Sequence, residues 1–254
     1  MSQILNIAAY KFVSLDNLEQ RRHALLAQTE ACALKGTILL TPEGINMFLA
    51  GTQDKIDQFL TWLRQDSAFL DIEVKYSESP DVPFKRMLVK IKREIIRMNH
   101  PTIRPEAGRA PAVDAQTAAR WITEGHDDAG RPVVLLDTRN DFEVDAGTFE
   151  GAINWHLSKF TEFPQAVLDH KDELAGKTVI SFCTGGIRCE KAAIYMREVG
   201  IDHVYQLDGG ILKYFEETGG IGYRGNCFVF DERRTLDPTL KPQPLADPHP
   251  GLRT

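Results

Sequence analysis

A chain of 254 residues is long enough to hold two ordinary domains and to bury a sizeable core. Its 43% hydrophobic and 26% charged residues exclude a largely disordered protein, and no apolar run approaches the roughly 20 residues of a membrane-spanning helix. A net charge of -6 argues against a surface that coats nucleic acid all over but permits a local basic face, while four cysteines without a CxxC pair suggest neither a secreted disulfide framework nor a zinc site. The start, Met1-Ser2-Gln3-Ile4-Leu5-Asn6, lacks the basic and apolar segments of a signal peptide, so a cytoplasmic protein with free thiols is expected.

In chain order, Ile4 to Phe12 reads as a strand and Leu15 to Leu34 as an amphipathic helix. Gly36 to Leu40 and Ile45 to Leu49 read as strands joined by the turn Thr41-Pro42-Glu43-Gly44. A second helix is expected from Gln53 to Leu63, with Ile56, Phe59, Leu60 and Leu63 on one face, followed by a strand over Ile72 to Tyr76 and another from Met87 to Ile96. The order βαββαβ with one further strand predicts an α+β, ferredoxin-like (acylphosphatase-like) domain over residues 1–98. Pro101, Pro105, Gly108 and Pro111, in a stretch with few apolar residues, mark a linker over 99–112.

Beyond it the pattern changes. Apolar strands at Val133 to Leu136, Ala152 to Asn154, Thr178 to Phe182 and His203 to Leu207 are separated by helices. Those helices include Asp114 to Thr123, Phe163 to His170, Arg188 to Val199 and Ile211 to Glu217. Strands that are apolar throughout predict an α/β domain over 113–224, a parallel sheet with helices on both faces. Residues 225–254 form a C-terminal segment whose Pro-rich tail, from Pro238, is expected to pack loosely.

One stretch carries chemistry: Ile180-Ser181-Phe182-Cys183-Thr184-Gly185-Gly186-Ile187-Arg188-Cys189. An apolar strand ending at Cys183, then a glycine loop, then a helix, places the sulfur at the carboxyl end of a parallel strand, where open α/β folds bind ligands. Gly185 and Gly186 let successive amides of the loop Thr184, Gly185, Gly186, Ile187, Arg188 point at one centre, and Arg188 adds a positive charge to this anion hole. A lone cysteine is most often a buried small hydrophobe. Here the strand, glycines, arginine and helix N-terminus together predict a thiolate nucleophile. Four residues separate Cys183 from Arg188, a ring that suits one extra sulfur or oxygen on the cysteine better than a tetrahedral phosphate. Cys189 is a possible second thiol, with packing beneath the loop as its simpler role.

The run Asp137-Thr138-Arg139, then Phe142-Glu143, then Gly147-Thr148-Phe149-Glu150-Gly151-Ala152, resembles the first rhodanese signature. The loop at Cys183 to Arg188 and the turn Asp208-Gly209-Gly210 resemble the rhodanese active loop and its closing turn. In rhodaneses the cysteine carries a persulfide, a role that the resemblance places on Cys183. Asp137 and Arg139 are read as a structural ion pair beside the sheet. With "LTPEGIN" at 40–46, "PFKRMLVKIKREII" at 83–96, "CTGGIRCEKA" at 183–192 and "GNCFVFDERR" at 225–234, the chain resembles the tRNA uridine(34) hydroxylase family over most of its length.

That resemblance implies an enzyme that converts the wobble uridine of tRNA to 5-hydroxyuridine, with tRNA as partner, molecular oxygen as co-substrate and Cys183 as the reactive residue. No flavin, metal or membrane motif accompanies it, and no motif identifies a protein partner or the electron donor. Lys85, Arg86, Lys90, Lys92, Arg93 and Arg97 are candidate RNA-binding residues, with Lys90 and Lys92 sharing one face of a strand as a basic stripe; an ordinary solvated strand face explains them as well. Two other functions fit the residues: a persulfide sulfurtransferase, and a non-catalytic RNA-binding or sulfur-sensing module.

Overall fold

The computed structural model describes residues 3–244. The N-terminal half contains β1 (Ile4–Phe12), α1 (Leu18–Ala31), β2 (Lys35–Thr41), β3 (Gly44–Gly51), α2 (Gln53–Leu63), β4 (Val74–Ser79) and β5 (Met87–Ile91). The sheet order is β4-β1-β3-β2-β5, antiparallel except for β5, the additional strand, which runs parallel to β2 at the edge. This is the expected ferredoxin-like sandwich. Strand alternation sends Ile38, Leu40, Ile45, Met47 and Leu49 into a core with Ile56, Phe59, Leu60 and Leu63 of α2. Both helices cover that one face, so the opposite face, with Asn6, Ala8, Tyr10, Leu39 and Phe48, is left for the rest of the chain to face.

Strand β6 (Ala112–Val113) opens the second domain, followed by α3 (Ala115–Glu124), β7 (Val133–Asp137), α4 (Asp141–Val144), β8 (Gly147–Phe149) and β9 (Ile153–Asn154). After them come α5 (Phe163–His170), β10 (Thr178–Phe182), α6 (Ile187–Glu198), β11 (Val204–Leu207) and α7 (Gly210–Thr218). The sheet is wholly parallel in the order β6-β11-β10-β7-β9. Adjacent residues of one strand enter different cores. Leu136, Val179 and Val204 pack with Phe163 and Val167 of α5 and with Ala192 and Met196 of α6. Leu135, Ile180 and Leu207 pack with Ala118 and Trp121 of α3 and with Ile211 and Phe215 of α7. Burial on both faces is why these strands are apolar without alternation.

Three expectations need correction. The first helix begins at Leu18 rather than Leu15 and ends at Ala31, because Ala33 takes φ +52° and turns the chain into β2. The last strand of the N-terminal sheet stops at Ile91 rather than Ile96: beyond it the Glu94 carboxylate accepts the N–H groups of Met98 and Asn99 and folds the chain back. Few as the apolar residues near the linker are, Met98, Ile103 and Ala110 are buried in the second domain's core, so this segment is a packed strap.

The tail departs from expectation as well. Strand β12 (Tyr223–Gly225) pairs with β8, and β13 (Cys227–Phe228), β14 (Thr235–Leu236) and β15 (Pro242–Gln243) form a small antiparallel sheet. Asp237 accepts the amides of Thr239 and Lys241, and Leu240 packs on the second domain, so the chain past Pro238 is held through Gln243. Pro242 is tolerated because β15 is an edge strand. The rest of the Pro-rich tail, from 245 onward, lies outside the described residues. Among the described residues no helix is long and apolar enough to cross a membrane.

Candidate active site

Strand β10 ends at Phe182, and Cys183 follows at the carboxyl edge of the sheet. Gly186, at φ +96°, turns the loop into α6 and donates its N–H to the Cys183 sulfur at 3.2 Å. From the other side the first turn of α7 holds the loop's carbonyls: Ile211 N–H donates to Cys183 O at 3.0 Å and Leu212 N–H to Thr184 O at 3.1 Å. Gly210 makes this approach possible. It has φ +68°, and a Cβ there would lie 2.5 Å from Cys183 O and 2.6 Å from Gly186 N. The Thr184 hydroxyl donates to Phe228 O at 3.3 Å, tying the loop to the C-terminal segment.

The electrostatics differ in one respect from expectation. Arg188 does not offer its guanidinium to an open anion hole; it is bidentate to Glu143, at 2.6 and 2.7 Å, in a pair buried at both ends. The reason lies in α4, whose capping box brings Glu143 Oε2 to the N–H of Asn140 and aims the carboxylate at the loop. The Arg188 charge therefore acts on Cys183 through space. Burial, the strongest single influence, opposes ionisation of the Cys183 thiol; hydrogen bonding from Cys189, the Arg188 charge and the amides of Arg188 and Cys189 outweigh it and bring the thiol below the usual range. Cys189 is pushed the other way, by burial first and then by its bond to Cys183, and stays protonated beside Thr138 Oγ1 at 3.6 Å. Cys227, also buried, is pushed up to about 12, chiefly by burial. Of the three buried thiols in this domain, Cys183 is the one poised as a thiolate.

Asp137 and Arg139 form the ion pair read from the sequence, with no exposure at either side chain and Nη2 to Oδ2 at 2.6 Å; Arg139 also donates to Gly147 O at 2.7 Å. They brace the strand end behind the loop. Among the described residues no group of three or more His, Cys, Asp or Glu is arranged to hold a metal ion.

The loop forms the floor of a cleft between the domains, about 700 Å³ in volume. Thr184, Gly185, Ile187 and Arg188 line it on one side, and the uncovered face of the N-terminal sheet, with Ala8, Tyr10, Leu39 and Phe48, lines it on the other. Cys183 itself is fully buried just beneath. Gly185 is half-buried, and a Cβ there would meet nothing within 4 Å.

Residues not singled out beforehand hold the two walls in register. Lys191, buried on α6, reaches Glu43 in the β2–β3 turn at 2.9 Å and Glu94 at 2.8 Å. Burial raises the Glu43 carboxyl, whereas for Glu94 the bonds from Lys191 and the Met98 amide overcome burial and lower it. Glu190 accepts from the Tyr10 hydroxyl at 3.1 Å, Arg109 Nε at 2.9 Å and Gln206 at 2.9 Å. Arg233 donates to Ser77 Oγ at 2.7 Å. The motifs 40–46, 83–96, 183–192 and 225–234 were the available signal, since each supplies part of this joint.

All six candidate RNA-binding residues are exposed: Lys85, Arg86, Lys90, Lys92, Arg93 and Arg97. Arg97 alone among them lines the cleft, while Lys85 lies 3.9 Å from Glu232. Lys92 falls just beyond the end of β5, so the stripe runs off the strand and into the turn.

Comparison with known proteins agrees with this two-part build. Residues 4–95 match the family model of the UPF0176 acylphosphatase like domain, and residues 113–217 match that of the rhodanese-like domain. A relative from Bordetella petrii named tRNA uridine(34) hydroxylase is 68% identical over 242 residues, covering 95% of this chain and 96% of its own. Relatives of the same name from Bordetella pertussis and Cupriavidus taiwanensis are each 65% identical, covering 96% and 94% of this chain and 100% and 85% of their own. With identity sustained across both domains and the strap between them, the chain belongs to the tRNA uridine(34) hydroxylase family.

Proposed function

We propose that this protein hydroxylates C5 of the wobble uridine of tRNA, with Cys183 as the reactive residue and molecular oxygen as co-substrate. The observation that carries the reading is the placement of a thiolate-favouring cysteine loop at the floor of an interdomain cleft of about 700 Å³, a volume in the range of small-molecule sites and ample for one nucleotide taken out of a loop. A uracil ring is weakly electrophilic at C6. Addition of the Cys183 thiolate there forms an S–C6 bond and moves the C5=C6 electron pair toward C5 and O4, making C5 the electron-rich position; one oxygen atom of O2 enters at C5, the other leaves as water at the expense of an external two-electron donor, and loss of the C5 proton with expulsion of the thiolate restores C5=C6. Exposed Arg97 at the cleft and the basic residues on and after β5 outside it are suited to phosphate contacts, and a tRNA substrate implies a cytoplasmic protein.

Mass spectrometry of tRNA from a deletion host complemented with this chain tests the reading. Restored 5-hydroxyuridine with the wild-type chain and none with Cys183→Ser supports it; full restoration by Cys183→Ser overturns the role of the thiol. The depressed Cys183 thiol in a rhodanese loop also favours a second reading, transfer of persulfide sulfur. Loss of thiouridine in the deletion host, with 5-hydroxyuridine unchanged, selects that reading instead, and no change in either nucleoside selects a binding module.

A further inference from the structure

The reactive loop belongs to the C-terminal domain, yet the opposite wall of the cleft carries a cation that the hydrogen-bond network leaves unused. Lys75 lies on β4, opposite Ala8 of β1, on the sheet face that looks across at the loop. Its ammonium sits 5.1 Å from the centre of the Tyr10 ring. Tyr10 in turn touches the loop: its hydroxyl is 3.1 Å from Glu190 and so near Gly186 that a Cβ there would meet it at 2.8 Å.

Apart from exposed Arg97 and Lys159 at the cleft, the cations around the loop are committed. Arg188 is held by Glu143, Arg109 by Glu190 and Asp208, Lys191 by Glu43 and Glu94, and Lys213 by Asp208. Among the described residues Lys75 makes no ion pair and its ammonium no hydrogen bond. Half-buried beside Ala8 and the Tyr10 ring, it has lost much of its water. Burial lowers its ammonium, against the opposing pull of Glu73 and the Cys183 thiolate.

We propose that Lys75 is a substrate-binding residue of this active site, donating an N–H to a carbonyl oxygen of the uracil ring held in the cleft over Gly185. The inference rests on the hydroxylation reading above. A base fits the position better than a phosphate does. The ring's faces are apolar and match Ala8, Leu39 and Phe48, whereas a solvated phosphodiester backbone is better served by exposed Arg97 and Lys159. The N-terminal domain would then be part of the active site and not merely an RNA-binding appendage.

The test uses the full chain with Lys75→Met, Lys75→Gln and Lys75→Arg. Binding of an unmodified anticodon stem-loop RNA is titrated at several salt concentrations, and tRNA 5-hydroxyuridine is measured in the complemented deletion host. Expected for Lys75→Met and Lys75→Gln are a fall in hydroxylation of about tenfold or more, with RNA affinity within roughly threefold and an unchanged salt slope. Lys75→Arg restores part of the activity. Hydroxylation within roughly twofold of wild type in a variant that melts like wild type overturns the proposal, as does a salt slope reduced by about one, which would assign Lys75 to a phosphate. Should Met prove too disruptive to fold, Gln and Arg decide between the same outcomes. A wild-type chain that restores no 5-hydroxyuridine removes the functional reading and this inference together; a working wild type with equally active variants removes the inference alone.

Discussion

At the scale of single side chains, the surroundings of Cys183 favour its thiolate. Its sulfur accepts the Gly186 N–H, while Cys189, the neighbouring amides and the Arg188 charge favour the thiolate against the cost of burial. Alkylation rate against pH should therefore give a midpoint below the value of about 8.5 for a free cysteine. Cys189→Ala removes a donor to the thiolate and should move the midpoint up, and Cys183→Ser should abolish the low-pH component, with site-resolved mass spectrometry reading each thiol. An unmoved midpoint in Cys189→Ala would show that the amides and Arg188 suffice. The placement of the cysteine loop between a strand end and a helix was legible in the sequence, from the glycines and the arginine after an apolar strand. The partner of Arg188 was not: Glu143 was visible as part of a signature, but nothing in its spacing says that a short capped helix will aim it at a loop 45 residues away.

At the scale of elements, the Arg188–Glu143 pair joins α4 to the first turn of α6 and so fixes the loop between them. Both partners are buried, which makes the pair costly to break from one side. Glu143→Gln leaves the guanidinium buried without its counter-charge and should destabilise the protein by about 3–5 kcal/mol in urea unfolding, whereas replacing both partners by apolar residues of similar volume should cost much less. Equal losses in the single and double variants would contradict this account. The long elements were readable because their side chains repeat. Strand β1, α2, α5 and β10 run over the residues that periodicity indicates, since each faces one or two cores along its whole length. Elements of two or three residues, such as β8 and β12 to β15, have no room for a period. They form because tertiary contacts pair them: the short tail sheet is fixed by side chains such as Leu236, buried completely, and Asp237, which caps its turn.

The molecule as a whole is two domains held around a cleft, and one lysine does much of the holding. Lys191 lies in α6, a few residues past the reactive loop, and its ammonium is enclosed by Glu43 from the N-terminal turn and Glu94 from the chain leaving β5. Stretches distant in sequence meet here: "LTPEGIN", "KIKREII" and "CEKA" each contribute one charged group to the same contact. The motifs were legible and their meeting was not, because an ion triad drawn from three segments leaves no spacing signature. Lys191→Met fills a similar volume but leaves two carboxylates facing each other without a cation, at a cost of about 3–5 kcal/mol. Neutralising one of them with Glu43→Gln in the same chain relieves the repulsion and should recover part of that loss. Because the damage falls between the domains, calorimetry should show the single-variant transition broadening or splitting, and amide exchange should rise at the β2–β3 turn and at Met98 and Asn99, whose N–H groups Glu94 accepts. Hydroxylation should fall with the loosened cleft while the low Cys183 midpoint in alkylation persists, since none of the groups that favour the thiolate has been removed. An unchanged single transition together with full activity would place the joint elsewhere, on Glu190 with Tyr10 and Arg109 or on Arg233 with Ser77.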